Sequence, residues 1–99
     1  MQRPTAERQS EILDVQLLDV FAQIEALLRL GREVQRHALR VRGVPEPVSA
    51  PQRKAAGQRI RAHVGEMANE CRTLADILRE LEDTAAELDG MLQAKTTTP

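Results

Sequence analysis

The chain has 99 residues, of which 41% are hydrophobic and 29% are charged, and its formal net charge at pH 7 is −1. A chain this short forms at most one small domain. It contains one Phe and no Trp or Tyr, so aliphatic side chains must fill any core, which suits interfaces between helices. No segment shows the period-two alternation of a β-strand, and the predicted class is all-α.

The first helix is predicted to cover residues 5–42, after a flexible leader at residues 1–4. Thr5 suits the N-cap, and Glu7 and Glu11 lie in the early turns, where the helix dipole favours acids. Apolar residues then recur at alternating spacings of four and three, the pattern of a coiled coil. This first stripe consists of Leu13, Leu17, Val20, Ile24, Leu27, Gly31, Val34, Ala38 and Val41.

Two features modify the first stripe. Leu18, Phe21 and Leu28 lie beside it and widen its apolar surface. Gly31 lowers the helix propensity by about 1 kcal/mol. The glycine predicts either a close approach of a neighbouring helix backbone or a hinge.

A turn is predicted at residues 43–48. Gly43 suits a helix C-cap in the left-handed conformation, and the two prolines of this segment cannot continue a helix. A helix restarts at once, since Ser49 and Gln52 match the capping box, in which each side chain bonds to the backbone of the other residue.

The second helix is predicted over residues 49–93, followed by a disordered tail at residues 94–99. Its apolar stripe again alternates spacings of four and three, so a coiled coil is predicted. This second stripe consists of Ile60, Val64, Met67, Cys71, Leu74, Leu78, Leu81, Ala85, Leu88 and Leu92. The single cysteine excludes an internal disulfide, and Cys71 is expected to act as a small hydrophobe in the helix interface.

A short turn joins helices most easily as an antiparallel hairpin, in which residue numbers of facing positions sum to about 91. The apolar end of the second helix would then face only residues 1–10, which offer little apolar surface. A partner chain is therefore predicted to complete the hairpin into a helical bundle. The predicted protein interface consists of Leu81, Leu88, Met91, Leu92, Leu18, Phe21 and Leu28.

Charge is distributed unevenly along the chain. Residues 29–61 carry nine Lys or Arg against two Glu, whereas residues 66–92 carry eight Asp or Glu against two Arg. One interpretation is that these charges simply cover solvent-exposed helix faces. The other is that they steer the antiparallel docking of one hairpin onto another, with the basic turn beside the acidic open end. Contacts with an acidic partner are predicted at Arg36, Arg40, Arg42, Arg53 and Lys54.

The sequence contains no recognisable catalytic or metal-binding motif. His37, His63 and Cys71 are far apart in the sequence and have no carboxylates at ligand spacing, so no metal site is predicted. His63 invites comparison with phosphotransfer histidines, but Val64-Gly65-Glu66 follows it where that family carries Lys and Gly. No cofactor, small-molecule substrate or enzymatic activity is expected, and a small helical enzyme is only a remote alternative.

The preferred function is a non-enzymatic coiled-coil module, a small subunit or adaptor in a homo- or hetero-oligomeric protein complex. The main alternative is a helical nucleic-acid-binding protein that uses the basic residues 29–61, although no aromatic side chains are present to stack on bases. No apolar run is long enough for a membrane span or a signal peptide. A cytoplasmic location is expected, or a nuclear one in a eukaryote.

Overall fold

The computed structural model describes residues 5–97, with side chains described for residues 5–94. Two helices joined by a turn, α1 (Ala6–Val41) and α2 (Ala50–Thr97), pack against each other. No strand occurs within residues 5–97. The predicted all-α helical hairpin is confirmed, whereas the predicted leader at residues 1–4 lies outside the described residues.

The predicted helix caps are all confirmed. The backbone N–H of Arg8 donates to Thr5 Oγ1 over 3.1 Å at the start of α1. At the start of α2, the backbone N–H of Ser49 donates to Gln52 Oε1 over 2.8 Å, and the N–H of Gln52 returns a bond of 3.3 Å to Ser49 Oγ. These reciprocal bonds satisfy N–H groups that have no partner inside the helix.

The end of α1 forms a Schellman motif around Gly43, whose φ is +72°. The N–H of Gly43 donates to the carbonyl of Arg40, and the N–H of Val44 donates to the carbonyl of Leu39, both over 2.9 Å. This pair of bonds satisfies the last carbonyls of the helix. The peptide bond between Val44 and Pro45 is cis.

The second helix is longer than predicted, because α2 continues to Thr97. The predicted end of the helix was residue 93, and residues 98–99 lie outside the described part. Gln93, Ala94 and Lys95 all have good helix propensity, which favours continuation of the helix beyond residue 93.

The chain divides into two units, each built from part of both helices. The turn unit comprises residues 23–73, that is, the end of α1, the turn and the start of α2. Along each of its helices, buried or half-buried side chains recur at spacings of four and three. This series consists of Gln23, Leu27, Leu30, Val34 and His37 on α1 and Ala56, Ile60, His63, Met67 and Glu70 on α2. Ala26, Gly31, Glu33 and Ala38 beside it on α1 are also half-buried.

The terminal unit comprises residues 1–22 and 74–99, of which 5–22 and 74–97 are described. The same alternation of four and three places its least exposed side chains on one face of each helix. This series consists of Gln9, Leu13, Gln16 and Val20 on α1 and Leu74, Ile77, Leu81, Thr84, Leu88 and Met91 on α2. Ala6 and Leu17 on α1 are also half-buried.

The inward face of α2 differs from its predicted stripe. Every second member of that stripe is exposed: Val64, Cys71, Leu78, Ala85 and Leu92. In α1, by contrast, only Ile24 and Val41 of the nine predicted stripe residues are exposed, and the other seven are buried or half-buried. A helix with a seven-residue repeat offers two adjacent faces with the same spacing. In α2, counting apolar residues selected the more apolar face, whereas the structure packs the face that carries matched polar side chains.

Gly31 makes no close backbone approach. A Cβ built on this residue would lie 3.9 Å from Met67 Cε, which is ordinary van der Waals contact with a flexible side chain. The helix also runs through Gly31 without a break. Neither of the two roles predicted for this glycine is therefore required by its surroundings.

No helix within residues 5–97 combines the length and the apolar character needed to cross a bilayer.

Candidate functional site

Glutamine and glutamate side chains join the helices within each unit. In the turn unit, Gln23 Nε2 donates a hydrogen bond to the carboxylate of Glu70. In the terminal unit, Gln9 Nε2 donates to Glu87 Oε2 over 2.5 Å. Polar pairs inside a helix interface set the alignment of the two helices, since any shift leaves buried polar groups without partners.

Two histidines meet across the helix interface of the turn unit. The ring centroids of His37 and His63 lie 5.7 Å apart, and the ring planes differ by 16°. His37 is only 5% exposed. Among the described residues, neither of its ring nitrogens has a hydrogen-bond partner, and Nδ1 of His63 has none either. Buried polar atoms of this kind are uncommon, since most buried polar groups in proteins are paired.

Carboxylates flank both imidazoles. Glu33 lies one turn before His37 on α1, and its Oε2 is 3.9 Å from His37 Nε2. Glu66 lies almost one turn after His63 on α2, with Oε2 at 3.8 Å from Nδ1. Both distances are too long for hydrogen bonds. One ligand atom each from Glu33, His37 and His63 lies within 4.8 Å of the others.

The surroundings lower the pKa of both His37 and Glu33 and so favour the neutral imidazole and the ionised carboxylate. Burial lowers the pKa of His37, and the nearby cations Arg36 and Arg59 lower it further. A hydrogen bond from Arg36 lowers the pKa of Glu33. A neutral imidazole and an ionised carboxylate are the protonation states that bind metal ions.

The sequence prediction treated the two histidines as unrelated, and this was wrong. A turn centred on Pro45 would place His37 opposite Lys54, nine residues from His63. In the structure, the numbers of contacting residues sum to between 93 and 100, as for Gln23–Glu70 and His37–His63. The spacing of Glu33 and His37, which puts both on one helix face, was the available signal.

An apolar groove runs along the surface of the turn unit. It has a volume of about 540 Å³. Leu28 is 54% exposed and Cys71 is also exposed. The prediction that Cys71 lies in the helix interface is therefore wrong. The groove is lined by Ile24, Leu27, Leu28, Gly31, Arg32, Gln35, Met67 and Cys71.

The terminal unit also exposes large apolar side chains. Leu18 is 64% exposed, and Phe21, Leu78 and Leu92 are exposed as well. Leu81, Leu88 and Met91 are instead half-buried, because Glu87 pairs with Gln9 and brings this part of α2 beside α1. The hairpin thus covers part of the apolar end of α2, which was predicted to face little apolar surface within the chain.

The predicted basic residues lie near the turn. Arg40, Arg42, Arg53 and Lys54 are exposed, and none takes part in an ion pair within residues 5–94. Arg36 differs, because it pairs with Glu33 on the same helix. Four of the five predicted cations are therefore available to an acidic partner.

Comparisons with protein-family models, with curated proteins and with solved structures find no match to this chain.

Proposed function

We propose that the chain is a non-enzymatic helical interaction module, in which the exposed apolar side chains pack against a second helical chain. In its simplest form the partner is another copy, which completes a bundle. A small subunit or adaptor of a hetero-oligomeric complex is the second form. The observation that carries the proposal is that the hairpin buries very few of its apolar side chains.

Only two apolar side chains within residues 5–94, Val20 and Ala56, are buried. Twelve large apolar side chains are exposed. Single exposed apolar residues are normal, but Ile24 and Leu28 lie four residues apart on α1, are both exposed and both line the groove of the turn unit. Covering a Leu or Phe side chain contributes about 2 kcal/mol, so a second helix on this surface would stabilise the fold appreciably.

The charges of the two units favour pairing between copies. The turn unit carries ten Lys or Arg and five Asp or Glu, a net charge of +5. The terminal unit carries four Lys or Arg and ten Asp or Glu, a net charge of −6. Opposite potentials steer association and orient the partners. A dimer that pairs the turn unit of one copy with the terminal unit of the other would bring these charges together.

Sedimentation equilibrium of the chain across the micromolar range tests the proposal. We expect the mass to rise above the 11.1 kDa of one chain. Replacing Phe21 and Leu28 with Gln should weaken association at least tenfold, since both side chains are exposed and Gln keeps good helix propensity. Glu25→Gln, at an exposed position between them in the sequence, is the matched control. Its mass should equal that of the wild-type chain at every concentration.

A wild-type chain that stays monomeric throughout would contradict self-association. The hetero-oligomeric form would then require a helical protein that binds the wild-type chain and the Glu25→Gln variant but not the Phe21/Leu28 variant. Equal binding to all three would contradict the proposed surface itself.

A further inference from the structure

We propose that Glu33, His37 and His63 form a binding site for a divalent transition-metal ion, which Zn²⁺ can probe. This site is separate from the exposed apolar surface. Two imidazoles and one carboxylate are a ligand set that zinc uses when a water or another ligand takes the fourth position. All three residues belong to the turn unit.

The three side chains lie close enough to reach one ion if they rotate. A tetrahedral zinc ion with bonds of about 2.0–2.1 Å requires ligand atoms about 3.3 Å apart. The present ligand atoms lie within 4.8 Å of one another. The side chains of His63 and Glu33 are 23% and 38% exposed, so both have room to rotate towards the buried His37. The ring centroids are 5.7 Å apart and the rings are stacked, with planes that differ by 16°. Because an imidazole binds a metal ion in the plane of its ring, at least one ring must rotate before both can reach the same ion.

His37 gives the strongest reason to expect a ligand. Its side chain is almost fully buried, yet within the described residues both ring nitrogens lack a hydrogen bond. Leaving such groups unpaired destabilises the fold. A metal ion bound to one of the two nitrogens would compensate part of that cost.

Two neighbouring side chains would change the affinity for the ion in opposite directions. Glu66 lies beside Nδ1 of His63, where a carboxylate can orient an imidazole that binds metal through its other nitrogen. Arg36 engages the carboxylate of Glu33 and competes with an ion for it. The Arg36 side chain is 66% exposed, and exposed ion pairs contribute little, so this competition is weak.

The donors select for zinc-like ions over the common hard cations. Mg²⁺ and Ca²⁺ prefer six or more oxygen ligands, whereas this cluster offers two nitrogens and one carboxylate. Imidazole ligands suit Zn²⁺, Cu²⁺ and Ni²⁺. We expect ZnCl₂, but not MgCl₂, to bind at one ion per chain.

Isothermal titration of the full chain with ZnCl₂ tests the site, using Cys71→Ser as the parent to remove the exposed thiol. His63→Gln and Glu33→Gln should each weaken binding at least tenfold, while circular dichroism reports retained helix. Arg36→Gln should instead tighten binding a few-fold, because it releases Glu33 and removes a nearby positive charge. Glu25→Gln is the matched control, with the same change at an exposed position on the same helix.

Two outcomes would overturn the proposal. One is the absence of zinc binding by the parent at micromolar concentration. The other is zinc binding with the same affinity in the parent and in His63→Gln. Nitrogen and proton resonances of the imidazoles give an independent reading: signals of both His37 and His63 should move with one equivalent of zinc, and unchanged signals would contradict the assignment.

Discussion

Gln23 donates a hydrogen bond from its side-chain amide to the carboxylate of Glu70, so that a neutral donor meets an acidic acceptor between α1 and α2. Gln23 Nε2 also lies 3.4 Å from the backbone carbonyl of Glu70. The amide is thereby fixed to one position along the opposite helix. The pair favours the face of α2 that carries Glu70 over the more apolar face beside it, which is exposed.

Replacing one member of this pair should lower the free energy of unfolding more than replacing both. Gln23→Leu leaves a half-buried carboxylate without its donor, which costs about 1–3 kcal/mol. The double variant Gln23→Leu/Glu70→Leu places two apolar side chains in contact, and its free energy of unfolding should recover to the wild-type value or above. Urea unfolding at one fixed protein concentration measures all the variants.

The corresponding single variant Glu70→Leu completes the cycle. Effects that simply add would show that Gln23 and Glu70 are not coupled in solution, contrary to the structure.

Acidification should destabilise the metal-free chain. The pKa of His37 in the folded state is lowered by burial, with Arg36 and Arg59 acting in the same direction. Glu33 opposes this shift, and His63 on the facing helix adds to it. The unfolded chain therefore binds a proton more readily, so this stability is present above the ordinary value of about 6.5 and is lost as pH falls below it.

Urea unfolding between pH 5 and pH 7.5, with a chelator present, checks this expectation. One proton limits the slope to about 1.4 kcal/mol per pH unit. His37→Gln should reduce the slope in this range, whatever its effect on the stability itself. An unchanged slope would show that His37 does not carry the pH dependence.

Two glycines should respond to alanine in opposite ways. Gly65 lies within α2, and a Cβ built there meets nothing within 4 Å. Gly65→Ala should therefore stabilise the fold by about 1 kcal/mol through helix propensity. Gly43 has a φ of +72°, and Gly43→Ala should destabilise by about 1–2 kcal/mol because L-residues disfavour that conformation. Equal effects in urea unfolding would contradict the cap geometry.

Nucleic acid should bind weakly. The exposed cations Arg40, Arg42, Arg53 and Lys54 give the turn a basic surface, but the chain has no Trp or Tyr and only one Phe for stacking. We expect affinity for duplex DNA or RNA no tighter than the non-specific range of about 10⁻⁴–10⁻⁶ M at physiological salt. Submicromolar binding that is lost when these four residues become Ala would favour the nucleic-acid alternative.

The sequence was sufficient for the helices, their caps and the turn, because Thr5, Gly43, Ser49 and Gln52 act through local hydrogen bonds. It also placed most of the inward face of α1 but was insufficient for that of α2. Apolar spacing cannot distinguish two neighbouring heptad faces, and polar pairs such as Gln9–Glu87 decide between them only once the alignment of the helices is known. The histidine pair was missed for the same reason.

The reactivity of Cys71 tests the central claim most directly. This single thiol is exposed and borders the apolar groove of the turn unit, so a second chain seated there must cover it. We predict that the rate constant for alkylation of Cys71 falls as protein concentration rises through the range in which the mass increases. A rate constant that stays the same while the mass increases would show that the chains associate through another surface, and would contradict the account.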